Sequence, residues 1–221
     1  SGNIYAAGFQ NNSSTFTYTG TTATGNCAGN NLTVVKYNSA GTTVWARTVS
    51  SCGSAAQANA VATDVSDNVY AAGYQVGTAT YGYSGQNATG TSTFTNVVLV
   101  KYNSSGTAQW ARSLAGGTNN AQFNALAVDS SGNIYAAGYQ SGSGAYTYGS
   151  QAATATASGT NAVIVKYDSS GTALWANTVS AGAAVSQFMG LTTDAGGNVF
   201  AVGYQTGTGT FTYGGQSITG G

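Results

Sequence analysis

The sequence predicts an all-β fold made of a repeated unit of four antiparallel strands. Three observations support this prediction: a motif that recurs every 65 residues, short apolar runs separated by Asn/Asp-x-x-Gly turns, and the lack of helical spacing of apolar residues. The motif begins as Ser1-Gly-Asn-Ile-Tyr-Ala-Ala-Gly-Phe-Gln10 and returns from Ser66, Ser131 and Gly196. We interpret residues 1–221 as one array, with repeat units 1–65, 66–130 and 131–195 and a partial unit 196–221.

The unit 131–195 and the residues just before it illustrate the order of the strands. Residues 125–128 form a first predicted strand, which turns at Asp129-Ser-Ser-Gly132 into a second strand over residues 133–139. A third strand, 162–167, turns at Asp168-Ser-Ser-Gly171 into a fourth, 172–179. Glycine supplies the positive φ that such tight turns need. Strands equivalent to the second are predicted at 4–9, 69–74 and 199–204.

Four antiparallel strands and one Trp per unit are typical of a β-propeller blade, with a β-solenoid as the competing architecture. Propellers usually close with four to eight blades. The 221 residues hold about 3.4 repeats of 65. We therefore expect an open arc unless residues outside this sequence or neighbouring chains complete it. The free strand edges of such an arc are templates for pairing with other chains.

The repeat also resembles a known family. The stretch from Asp129 to Tyr139, the stretch from Val163 to Gly171, and the pair Leu174-Trp175 are similar to the bacterial SBBP-type β-propeller repeat. This resemblance extends over the whole chain. It implies a secreted or surface-exposed bacterial protein, and it supplies no catalytic motif whose residues could be assigned here.

The inventory of chemically active side chains is short. Without His or Glu, neither a Ser-His-Asp triad nor a His-based metal site can form, so we predict no catalytic residue, no metal site and no cofactor. Asp64, Asp129 and Asp194 occupy one position in three units. An acid–base or Ca²⁺ role is the alternative to a structural one, in which each carboxylate caps its own turn. The recurring Lys36, Lys101 and Lys166 suggest a structural Lys–Asp contact.

Paired aromatic residues are the best candidates for a recognition surface. They recur in the segment between the second and third strands, as Phe16 and Tyr18, Tyr81 and Tyr83, Tyr146 and Tyr148, and Phe211 and Tyr213. Aromatics two positions apart face the same side of an extended strand, and tyrosine suits glycan or protein partners. The alternative is that they pack this segment onto its own or the next blade, and their recurrence favours that alternative.

A disulfide between Cys27 and Cys52, the two cysteines of the chain, is also predicted. If the hairpin 32–49 turns between Ser39 and Ala40, opposed residue numbers sum to 79, as 27 and 52 do. Opposed strand positions supply the Cα separation that a disulfide needs. Such a bond forms in an oxidising compartment.

These observations predict a non-catalytic extracellular or cell-surface scaffold, adhesion module or binding module. The alternative is a structural subunit of an extracellular filament or sheath whose chains complete one another's blades. A propeller-type carbohydrate-active enzyme is disfavoured by the lack of His and Glu. We expect self-association through strand edges and a glycan or protein ligand. Five cationic residues are too few for a nucleic-acid partner, and no apolar run reaches the roughly 18 residues of a membrane span.

Overall fold

The structure is a computed structural model that describes residues 2–182 and 184–220. These residues contain 21 strands, paired in antiparallel sheets, and no helix. The all-β prediction is therefore confirmed. It follows that no described residue belongs to a helix that could span a membrane.

The strands follow one another along the chain in a recurring order. In the first part they are β1 (Ile4–Asn11), β2 (Thr15–Tyr18), β3 (Thr21–Thr24), β4 (Asn30–Tyr37) and β5 (Thr43–Thr48). Next come β6 (Ala56–Thr63), β7 (Val69–Val76), β8 (Thr80–Tyr83), β9 (Gln86–Thr89), β10 (Thr95–Tyr102) and β11 (Ala108–Gly116). Then follow β12 (Ala121–Val128), β13 (Ile134–Ser141), β14 (Gly144–Tyr148), β15 (Gln151–Ala155), β16 (Thr160–Tyr167) and β17 (Ala173–Ala181). The last are β18 (Ser186–Thr193), β19 (Val199–Gln205), β20 (Thr210–Tyr213) and β21 (Gln216–Thr219).

Two four-stranded arrangements of the same order lie in the middle of the chain, β6–β7–β10–β11 and β12–β13–β16–β17. The sheet β1–β4–β5 has the last three strands of this order, and β18–β19 has the first two. The register of the second strand on the third recurs with the 65-residue offset, in the pairs Ile4–Tyr37, Val69–Tyr102 and Ile134–Tyr167.

Tight turns join the third and fourth strands. In the turn at 103–106, the Gly106 amide donates to the Asn103 carbonyl over 2.9 Å, and the φ of Gly106 is 80°. The Asn103 side chain accepts hydrogen bonds from the Ser105 and Thr107 amides. Because a side chain strains a residue at this φ, the glycine fixes where the chain reverses.

The segment between the second and third strands folds into a further hairpin in each unit, which the sequence did not predict. These hairpins are β2–β3, β8–β9, β14–β15 and β20–β21. β14 pairs with β11, and β20 pairs with β17, so each of these hairpins extends the sheet that precedes it in the chain. A bridge between Ser51 and Gly82 brings β8 beside the end of β5 in the same way. The two central sheets therefore reach six strands.

The apolar core lies between successive sheets. In one cluster, Tyr70 and Leu99 from β7 and β10 are buried with Phe123 and Ile134 from β12 and β13. A second cluster joins β4 and β5 to the sheet that contains β7 and β10. Burying a large apolar side chain contributes about 1.5–3 kcal/mol, so each sheet is stabilised mainly by its neighbours in the array.

The predicted disulfide between Cys27 and Cys52 is confirmed, with a Cα–Cα distance of 5.3 Å. The register used to predict it is wrong. The turn is centred on Ala40, so that Tyr37 pairs with Thr43 and the numbers sum to 80. A bulge between Lys36 and Tyr37 raises the sum to 81 for pairs such as Val35 and Ala46. Both cysteines lie beyond the paired strands, where the connecting loops bring them together.

Replacing both Cys27 and Cys52 with serine should lower the free energy of unfolding by about 3–4 kcal/mol in the chain-entropy model, because the bond closes a loop of 25 residues. Urea unfolding of the oxidised chain and of the double variant measures this difference. Reducing the wild-type chain should produce the same loss. Equal unfolding midpoints for oxidised chain and variant would contradict the prediction.

Candidate functional site

The eight aromatic residues proposed for recognition are mostly inaccessible to a ligand. The structure buries Tyr81, Tyr83, Tyr146, Tyr148 and Phe211 almost completely. Tyr18 and Tyr213 are half-buried, and only Phe16 is exposed, at 39%. The structure thus places most of this set inside the protein, and it does not bring them together as a surface.

Their surroundings explain the burial. The Tyr148 hydroxyl donates to Oε1 of Gln140 over 2.9 Å, and Nε2 of Gln140 donates to the Ala153 carbonyl, so a glutamine of β13 joins both strands of the hairpin β14–β15. The Tyr148 ring stacks on Phe123, with ring centroids 6.1 Å apart. Burial raises the pKa of Tyr148 well above its usual value, which keeps the phenol a neutral donor.

The pair Tyr146 and Tyr148 therefore fastens the hairpin β14–β15 both to its own unit and to the sheet before it. Packing on the same or the next blade was predicted as the alternative to a recognition surface, whereas β14 pairs with β11 of the preceding sheet. The role of the glutamine was not predicted from the sequence. Its recurrence as Gln10, Gln75, Gln140 and Gln205, at the end of the repeated motif, was the available signal.

The recurring carboxylates cap their own turns. Oδ1 of Asp129 accepts hydrogen bonds from the amides of Ser131 and Asn133, and Oδ2 accepts from the Asn133 side chain and the Tyr135 hydroxyl. Asp64 makes the equivalent four bonds. In residues 2–182 and 184–220, no three His, Cys, Asp or Glu side chains lie close enough together to hold a metal ion.

The pKa of Asp129 reflects this cage of donors. Burial acts to raise it, but the hydrogen bonds from Asn133, Tyr135 and Ser131 outweigh burial and hold the pKa below its usual range. The pKa of Asp64 is lowered against burial by the same kinds of donor. These carboxylates are stabilised as anions and are not poised to hold a proton at neutral pH.

The cationic side chains make a second recurring contact, which we call the turn clamp. In the turn clamp, a Lys and a Trp of one unit donate to a turn carbonyl of the next. Lys36 Nζ and Trp45 Nε1 both donate to the Ser104 carbonyl, each over 3.1 Å. Arg47 Nε donates to the Gly106 carbonyl over 2.8 Å. The Lys–Asp contact predicted from the sequence is not formed among the described residues, because the lysine binds these backbone oxygens instead.

The turn clamp repeats one unit further on. Lys101 Nζ and Trp110 Nε1 donate to the Ser169 carbonyl over 3.1 and 3.2 Å, and Arg112 Nε donates to the Gly171 carbonyl over 2.9 Å. The turn glycine lies flat on the indole. A Cβ added at Gly171 would come within 2.8 Å of Trp110 Cδ2, so the contact excludes any side chain.

The third set of clamp residues keeps the ring contacts of the first two sets. Lys166 lies over the Tyr135 ring, and the Trp175 indole tilts against the same ring, as Lys101 and Trp110 do at Tyr70. Asn177 replaces the arginine. Within the described residues, neither Lys166 nor Trp175 holds a turn, and Trp175 is only half-buried.

A groove of about 590 Å³ opens beside β19. Its lining includes Phe188, Val202, Tyr204, Tyr213 and Ile218. Three of these, Val202, Tyr204 and Ile218, are exposed, whereas the positions equivalent to Val202 and Ile218 in the central sheets are the buried residues Ala72, Ala137, Ala88 and Ala153. The third strands β10 and β16 lie beside the equivalents of β19 in those sheets, so the groove corresponds to the place of a third strand.

Comparison with known proteins identifies no relative: neither a protein-family model nor a curated protein matches the chain.

The turn clamp makes Gly106 less replaceable than a turn glycine that faces solvent. Gly106→Ala and Gly132→Ala should each carry the strain of a positive φ, about 1–2 kcal/mol, because both glycines have φ of 80°. A Cβ at Gly106 would also come within 2.8 Å of Trp45 Cδ2, whereas one at Gly132 has nothing within 4 Å. We expect Gly106→Ala to lose about 1–3 kcal/mol more in urea unfolding. Equal losses for the two variants would contradict the turn clamp.

Stability should fall in acid because of the caged carboxylates. The folded-state pKa of Asp129 lies below the unfolded value of about 3.9, so its contribution is complete at neutral pH and is lost as pH falls from about 4 through the folded pKa. The midpoint of urea unfolding, measured at a series of pH values from about 6 down to about 2, tests this prediction. Asp129→Asn should lower the urea midpoint at the highest pH of the series, and the midpoint of the variant should then fall less as the pH is lowered. An unchanged decline in the variant would rule out this origin.

Proposed function

We propose that the chain is a non-catalytic scaffold, adhesion module or binding module of an extracellular or cell-surface protein, built from propeller-type blades. The observation that carries this proposal is where the charges lie. Four of the five cationic side chains hold turns of the next unit, as Lys36, Arg47, Lys101 and Arg112 do. The carboxylates Asp64, Asp129, Asp168 and Asp194 accept hydrogen bonds within their own turns.

The propeller-type interpretation is supported by the packing of the central sheets. These sheets have the features that blades of one array require. They have four antiparallel strands in sequential order, a core between successive sheets, and an exact 65-residue offset. The likeness of the motif to the SBBP-type repeat points the same way.

An extracellular setting is supported by the disulfide and by the composition. A bond between Cys27 and Cys52 is typical of oxidising compartments. Only 5% of residues are charged, and the net charge is zero. A neutral chain of this kind attracts neither nucleic acid nor an anionic membrane surface electrostatically.

The partner we propose is a neutral glycan or the polar surface of another protein. The exposed hairpins present threonine pairs whose hydroxyls lie 2.8–2.9 Å apart, in Thr15–Thr24, Thr80–Thr89 and Thr210–Thr219. Hydroxyls that both donate and accept suit a polyhydroxylated ligand. Because the pair recurs in three of the four units, with Ala145 in place of threonine in the other, weak contacts along the array add to one multivalent attachment.

A second candidate, a structural subunit of an extracellular filament or sheath, is favoured by the apolar residues at the two ends of the array. Ile4 of β1 and Phe200 and Val202 of β19 are more than half exposed, whereas their equivalents in the central sheets are buried. Exposed apolar faces of this kind mark interaction surfaces. Copies that cover one another's end faces would bury them.

One preparation tests both candidates. The oxidised chain is passed over immobilised neutral polysaccharides and cell-surface proteins, the solution is assayed for released sugar ends, and light scattering measures the mass of the chain. We expect retention without product for a binding module and a mass above 21.9 kDa for a subunit of an assembly. Product release that is lost in Asp129→Asn would contradict the non-catalytic proposal.

A further inference from the structure

We propose that a cavity between the two central sheets binds the acetamido group of an N-acetylated sugar, with Arg112, Ser150 and Tyr167 as its polar groups. This inference rests on the binding role proposed above and names the class of glycan. The walls come from β11, from the turn between β14 and β15, and from β16 and β17, so two complete units form the cavity. Its volume is about 330 Å³, within the range of about 300–1,000 Å³ of small-molecule sites.

Two side chains at the cavity have hydrogen-bond donors that the protein does not use. Three of the five N–H groups of Arg112 donate to backbone carbonyls, which leaves two for a ligand. Tyr167 is only 3% exposed, and its hydroxyl makes no hydrogen bond among the described residues. The equivalent hydroxyl of Tyr102, one unit earlier, is buried without a partner. The Tyr167 hydroxyl can therefore donate to a ligand oxygen without breaking a bond in the protein.

The hairpin turn at the cavity departs from the repeat. Three of the four hairpins have a glycine with positive φ at the second position of the turn, namely Gly20, Gly85 and Gly215. In the hairpin β14–β15, Ser150 takes this position, after Gly149 with φ of 60°. Ser150 Oγ accepts from the Gln151 side chain over 3.3 Å, and a hydroxyl that accepts keeps its own proton for a ligand. The array thus gains a polar group at the cavity that its other hairpins lack.

The remaining wall of the cavity is apolar and determines the shape of the ligand. Leu114 and Ala173 are buried there, and Ala115 lies at a bulge, where β11 skips a residue in its pairing with β14. The ligand therefore needs an oxygen that accepts from several donors and a small apolar group beside it. An acetamido group has both, a carbonyl oxygen for the guanidinium and the phenol, and a methyl group for the aliphatic side chains.

The charges at the cavity favour this neutral group over a carboxylate. Hydrogen bonds, above all from the Ser170 hydroxyl, and the nearby Arg112 guanidinium hold the pKa of Asp168 below its usual range. The cation thus already has an anion close to it. Burial raises the pKa of Tyr167, so its phenol is a neutral donor. A ligand carboxylate would be repelled by Asp168, whereas a carbonyl oxygen accepts the same hydrogen bonds without that repulsion.

NMR titration of the oxidised chain with the disaccharide of N-acetylglucosamine tests the proposal, with cellobiose as the sugar that lacks acetamido groups. Tyr167→Phe removes a hydroxyl without a partner, and Ser150→Gly restores the residue of the other hairpins, so both variants should fold. Each should raise the Kd for the acetylated disaccharide roughly two- to tenfold, the effect of one lost hydrogen bond. Tyr102→Phe is the matched control, because it removes an equally unpartnered hydroxyl that does not line the cavity. It should bind like the wild-type chain.

Two further measurements identify the group that is bound. Saturation transferred from the protein should reach the acetyl methyl protons most strongly, and acetamide should displace the disaccharide better than acetate does. No binding of the acetylated disaccharide, equal affinity for cellobiose, unchanged Kd in both variants, or better displacement by acetate would overturn this inference and leave the binding role standing. A chain that is retained by no immobilised polysaccharide or protein would overturn the binding role as well.

Discussion

The rest of the structure depends on the contact between the tryptophan of one unit and the glycine turn of the next. Gly106 must have a positive φ to close its turn, and it must lack a side chain to lie on Trp45. The lysine and arginine beside the indole donate to the turn carbonyls, which have no partner within their own hairpin. One contact thus fixes the reversal of the chain, the spacing of neighbouring sheets and the location of the positive charges.

The hairpin inserted between the second and third strands adds a second link between neighbouring units. It pairs with the last strand of the preceding sheet, and a buried glutamine such as Gln140 joins it to its own sheet. The core between the sheets contains tyrosine as well as alanine, so polar atoms enter it, and Gln140 accepts a hydrogen bond from one of them, the Tyr148 hydroxyl. Each unit is therefore held by its neighbours through hydrogen bonds as well as apolar contact, as expected of a repeat array.

These links use four of the five cationic groups and many of the aromatic rings, and four aspartates cap their own turns, so the remaining surface is dominated by hydroxyl and amide groups. A surface of this kind suits repeated weak attachment better than chemistry at one centre. The units differ mainly at the ends of the array. There, apolar residues such as Val202 are exposed, while their equivalents in the central sheets are buried. The scaffold role that we propose is based on this neutral surface, and the assembly role is based on the apolar residues exposed in the first and last sheets.

The sequence by itself determined the 65-residue period, the positions of the strands in the repeated motif and the turn glycines, because each depends on local chemistry or on counting along the chain. It also paired Cys27 with Cys52, but the register behind that prediction is wrong, because the turn centre and the bulge are set by the folded hairpin. Only the tertiary structure decided the role of the paired aromatics: their recurrence favours packing, but it is the placement of the hairpin on β11 that puts Tyr146 and Tyr148 in the core. It also decided that Lys101 binds the Ser169 carbonyl rather than an aspartate. Backbone oxygens look alike at every position of a sequence, and only the packing of one unit on the next determines which of them a lysine can reach.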